Sequence, residues 1–136
     1  MRYLLLVDPD EASLRETRGI VERAIGANGS TIQIIATKDV TPGFQDLARV
    51  KAGDRVLVIM EFVLREQTQT ELRQTVDQMR RMLSLLLPKE FTPTVVAYST
   101  YTDRNALERF NITLFHKPEQ EMLLLDLVDA FVASQC

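Results

Sequence analysis

Short apolar runs alternate with amphipathic segments from one end of the chain to the other. Residues 3–7, Tyr-Leu-Leu-Leu-Val, form an unbroken apolar run that stops at Asp8-Pro9-Asp10. That pattern predicts a strand buried on both faces. A helix should follow: Pro9 suits a helical start, Asp8 and Asp10 suit its cap, and Leu14, Arg18, Val21 and Ile25 share a face. Gly26, Asn28 and Gly29 end it. Residues 31–36, rich in β-branched side chains, predict a second strand. Thr41-Pro42 opens a short helix through Phe44, Leu47 and Val50 that closes near Gly53.

Residues 56–60, Val-Leu-Val-Ile-Met, predict a third strand, apolar on both faces. Thr68 with Glu71 three positions on matches a capping box, and a long helix follows to about Leu87, where Pro88 ends it. Residues 94–98 predict the fourth strand, 103–110 a short helix, 112–115 the fifth strand and 121–132 the last helix. Five strand–helix units with strands this apolar require a parallel sheet covered on both faces. Right-handed crossovers make it doubly wound, an α/β fold with its working groups at the carboxyl ends of the strands. That edge carries Asp8-Pro9-Asp10, Met60-Glu61-Phe62, Ser99-Thr100 and His116-Lys117-Pro118.

Composition narrows the classes without changing this picture. The 136 residues suit one domain, 1–136, with no linker or repeat. A formal net charge of -3 gives no basic field for holding nucleic acid directly. No apolar stretch approaches the ~20 residues that span a bilayer, and Asp8 interrupts the first run too early for a secretory signal. The single cysteine, Cys136, has no partner for a disulfide. A cytoplasmic protein without membrane contact is the expectation. His116, the only histidine, cannot form a ligand cluster alone, and no glycine-rich phosphate loop follows a strand. A flavin- or nucleotide-dependent enzyme is therefore disfavoured, and no cofactor is expected.

Three pieces at the right strand ends carry a family resemblance. The run Ala106-Leu107-Glu108-Arg109-Phe110-Asn111-Ile112-Thr113-Leu114-Phe115-His116-Lys117-Pro118 is similar to the Ala-Leu-Glu, turn, strand and Lys-Pro sequence of bacterial response regulator receiver domains. Leu5-Leu6-Val7-Asp8-Pro9-Asp10 resembles their first strand with its acidic cluster, and Val95-Val96-Ala97-Tyr98-Ser99-Thr100 their fourth, which ends in Ser or Thr. The resemblance implies a five-stranded parallel receiver or flavodoxin-like (βα)5 sheet. It also implies a pocket in which an aspartate after the third strand accepts a phosphoryl group. In that chemistry magnesium neutralises charge, and the lysine and hydroxyl contact the phosphoryl oxygens.

The sequence departs from that plan. The acceptor position falls on Met60 or, with one extra residue, on Glu61, and neither is Asp. Counting apolar residues slightly favours Met60, with Glu61 exposed beyond it; at the acceptor position Glu61 beside Lys117 would instead mimic the phosphorylated state. Pro9 replaces an acidic residue, so Asp8 and Asp10 are poor candidates for a magnesium site and no metal is expected. Leu114 stands where the switching aromatic would be. The retained pocket comprises Asp8, Asp10, Ser99 and Lys117.

The resemblance so modified implies a pseudo-receiver without catalytic residues, not an enzyme. It would be a phosphorylation-independent protein–protein interaction module in signal transduction or transcriptional regulation. Its partner would be a protein such as a histidine kinase or a transcriptional regulator. The alternative is a receiver that still accepts a phosphoryl group through a non-standard magnesium-dependent site. The last helix is more apolar than one buried stripe requires, so a homodimer surface is expected at Leu114, Met122, Leu125 and Phe131. Packing against a further domain is the other reading of that surface.

Overall fold

The computed structural model describes residues 2–26, 32–38, 50, 51, 53–61, 69–86, 94–99, 108, 112–117 and 119–133. Their order is β1 (Arg2–Val7), α1 (Glu11–Ile25), β2 (Ile32–Thr37), β3 (Arg55–Met60), α2 (Gln69–Leu86), β4 (Thr94–Ser99), β5 (Thr113–His116) and α3 (Glu121–Ala133). The strands form one parallel sheet in the order β2-β1-β3-β4-β5. The fold class read from the apolar runs is thus the one observed. The short helices expected near residues 41–53 and 103–110 lie outside the described residues apart from 50, 51, 53 and 108, and the Thr68 cap, Pro118 and Cys136 lie outside them too.

The inner strands β1, β3 and β4 are buried on both faces, whereas the edge strands β2 and β5 are covered only in part. Register places Leu6 beside Ile59 and Val7 beside Met60, with Ile59 beside Val96 in turn. Alternation then sorts the side chains. Leu4, Leu6, Leu57, Ile59, Val96 and Tyr98 face one way and pack with Ile20, Val21 and Ile25 of α1 and Leu124, Val128 and Phe131 of α3. Leu5, Val7, Val58, Met60, Ala97 and Leu114 carry the opposite parity and are also buried. The chain moves from β1 leftwards to β2 through α1, but from β3 rightwards to β4 through α2. Right-handed crossovers in opposite directions put α1 and α2 on opposite faces of the sheet. Among the described side chains of α2, Val76 and Met79 are fully buried.

α1 begins and ends as its sequence dictates. Asp10, with extended backbone at φ -90° and ψ 118°, accepts the Ser13 amide at 3.2 Å and is the N-cap. Gly26 closes the helix at φ 53°, where a side chain would be strained, and its N–H donates to the Glu22 carbonyl. The buried face is Thr17, Ile20, Val21 and Ile25. Arg18 does not share it: Arg18 is exposed and pairs with Glu22 at 2.8 Å one turn on.

The expected dimer surface needs correction. Leu114 and Phe131 are buried, and Leu125 is half-buried against the core. Only Met122 of the four is exposed, together with its neighbour Leu123. α3 lies across β4 and β5 against α1, so its wide apolar stripe is consumed in covering the sheet.

Candidate functional site

Three strand ends place charged side chains on the same side of the sheet. Positions 8, 61 and 117 continue the parity of Leu6, Ile59 and Phe115, so they emerge on the face covered by α1. The backbone holds them there: Glu61 N–H donates to the Val7 carbonyl and Lys117 N–H to the Ser99 carbonyl, both at 2.9 Å. The Gln120 side chain accepts the His116 amide at 2.8 Å, fixing the turn between β5 and α3 that carries Lys117. His116 is otherwise a half-buried strand end.

The parity also separates Met60 from Glu61. Met60 points to the opposite face and is 2% exposed in the core. Glu61 lies on the side of Asp8 and Lys117, and the expectation of an exposed glutamate beyond Met60 is corrected. The Glu61 side chain is only 13% exposed and reaches Lys117, Oε2 lying 2.8 Å from Nζ. Its other oxygen, Oε1, accepts the Ser99 hydroxyl at 2.5 Å, in the range of a hydrogen bond to a charged carboxylate.

Lys117 is the hub. Its ammonium, 14% exposed, meets Glu61, Asp8 Oδ2 at 3.3 Å and the Ser13 hydroxyl of α1. An ammonium has three N–H donors, and three acceptors surround this one. The Tyr98 ring lies beneath it, 5.2 Å from Nζ to the centroid, a cation–π distance. Burial, reinforced by Glu121, Glu16, Glu119 and Glu61, pushes the Tyr98 hydroxyl up to about 12. Asp8 is 3% exposed, and its Oδ1 accepts the Asp10 amide at 2.9 Å. A cleft of about 180 Å³ adjoins the cluster, lined in part by Asp8, Thr17, Glu61 and Tyr98.

Of the residues assigned from sequence, the structure brings together Asp8, Glu61, Ser99 and Lys117. It does not bring in Asp10, which is exposed and spends its carboxylate capping α1. Ser13 and Tyr98 belong to the site and were missed. Ser13 carries a weak signal, because an N-cap at Asp10 places it in the first turn of α1, level with the strand ends.

The donors do not fit magnesium. Magnesium demands near-octahedral oxygen ligands. Asp10 is engaged elsewhere, Pro9 offers no side-chain oxygen, and Asp8 and Glu61 each have an oxygen on the Lys117 ammonium. Among the described residues no three His, Cys, Asp or Glu side chains converge as a metal site. Among them, too, no helix is long and apolar enough to cross a membrane.

No protein-family model and no curated protein matches the sequence. Solved structures match its fold. A response regulator receiver protein from Pseudoalteromonas atlantica superposes with a TM-score of 0.63 at 13% identity, covering 96% of each chain. A second, from Dyadobacter fermentans, gives 0.60 at 12% identity over 98% of this chain and all of the other. The pilus assembly protein CpaE from Caulobacter crescentus gives 0.61 at 14% identity, with 97% and 94% covered. The fold is that of response regulator receiver domains.

Proposed function

We propose that the chain is a pseudo-receiver, a protein–protein interaction module of bacterial signal transduction that works in the cytoplasm without phosphorylation and performs no catalysis. The observation that carries this reading is the set of partners around Lys117. In receiver chemistry the lysine and the hydroxyl after the fourth strand are the groups that contact an incoming phosphoryl group. Here Lys117 is engaged by Glu61, Asp8 and Ser13, and the Ser99 hydroxyl donates to Glu61. Glu61 supplies, within the chain, a negative charge on both phosphoryl-sensing groups. In this reading Glu61 stands in for the phosphoryl group, and partner binding is constitutive. The fold likeness to a pilus assembly protein widens the range of outputs beyond transcriptional regulators.

Incubation with acetyl phosphate and magnesium, followed by intact-mass spectrometry, tests the reading. No phosphoryl adduct is expected. A hydroxylamine-labile adduct on Asp8, Asp10 or Glu61 would replace it with the alternative, a receiver that accepts phosphate through a non-standard site.

A further inference from the structure

The described surface carries two exposed apolar spots, set in opposite charge on opposite faces of the sheet. On α3, Met122 is 66% and Leu123 47% exposed, beside exposed Asp126 and Asp129. From Glu119 to Ala133 there are acidic residues at 119, 121, 126 and 129 and no Lys or Arg. On α2, Leu85 is 80% exposed beside exposed Arg80 and Arg81. Arg73 pairs with Asp77 farther along α2 at 4.0 Å. Among the described residues no ion pair engages Arg80, Arg81, Asp126 or Asp129.

A two-fold contact of α3 on α3 would lay an acidic face on itself, and α2 on α2 would oppose arginines. Docking α2 of one copy on α3 of the next matches both chemistries. The spacing agrees as well. Arg81 and Leu85 are four residues apart, as are Met122 and Asp126, so each pair lies on one helix face. An antiparallel alignment that seats Leu85 on Met122 sets Arg81 against Asp126. It also sets Gln78 against Asp129 and Asp77 against Ala130, with no like charges opposed.

We propose that the chain binds further copies of itself head to tail, the basic, Leu85-bearing face of α2 seating on the acidic, Met122-bearing face of α3. Such a heterologous contact leaves one face open at each end, so assembly continues beyond a dimer. This inference is independent of the pocket reading, since none of its residues belongs to the Lys117 cluster.

Sedimentation velocity on the full chain, from low to high micromolar, tests it. The weight-average mass is expected to rise past that of a dimer with concentration and to fall with added salt. Arg81→Glu and Asp126→Arg, both at exposed positions, should each weaken association on the order of tenfold with circular dichroism unchanged. Mixing the two variants should restore it, because every contact in an alternating chain then joins opposite charges. A monomer throughout the range would overturn the proposal. So would a dimer that stops growing and ignores Arg81→Glu.

Discussion

At the scale of single residues, the site is a buried cation held between two carboxylates, and its energetics follow from which partner is removed. Lys117→Met leaves Asp8 and Glu61 facing each other without a counter-charge. Chemical denaturation should show a loss of about 3–5 kcal/mol, the range for breaking a buried pair from one side. Glu61→Gln keeps the size and leaves Lys117 with Asp8 and Ser13, so the expected loss is smaller, about 1–3 kcal/mol. Equal losses in the two variants would contradict the hub role of Lys117.

Tyr98 gives a pH signature. Its folded pKa lies near 12 against an ordinary value of 10.0. Above pH 10 the unfolded chain sheds this proton more readily than the folded one. The contribution of Tyr98 is therefore complete below about pH 10 and is lost as pH rises towards 12. Tyrosinate absorbance should show a late component that Tyr98→Phe removes.

The choice between Met60 and Glu61 shows what was legible at this scale. Counting apolar residues gives strand length but not facing. The missing information is the register of Val7 beside Met60, a long-range pairing that puts Glu61 on the side of Asp8. The contact of Lys117 with Ser13 joins residues 104 positions apart, and no local pattern encodes it.

At the scale of elements, the sequence is more explicit. Short apolar runs rich in β-branched residues and bounded by turn signals favour strands, and the five strands predicted are the five observed. Helix limits are legible where a cap is present, as at Asp10 and Gly26. Replacing the N-cap, Asp10→Ala, should cost about 1 kcal/mol by thermal or denaturant unfolding without disturbing the Lys117 contacts. A loss approaching that of Lys117→Met would mean that Asp10 belongs to the site after all. α3 was misread because amphipathicity reports how wide an apolar stripe is, not what covers it. Leu125, Leu127 and Val132 are half-buried flanks of the core, whereas Met122 and Leu123 stand clear of it.

At the scale of the whole molecule, the sheet gathers four strand ends, and parity sets the three charged groups among them on one side. The cluster bears two carboxylates and one ammonium, closed by Ser13 from α1 and Ser99 from β4. A pocket built this way has its ammonium and its Ser99 hydroxyl already in use.

The most direct measurement is an NMR titration with magnesium and beryllofluoride, the stable imitation of a phosphoryl group bound to an acceptor carboxylate. A closed site leaves the amides of Asp8, Glu61, Ser99 and Lys117 unmoved at millimolar ligand, and that is the expected result. A saturable shift centred on those four residues would contradict it and show a pocket still able to receive phosphate.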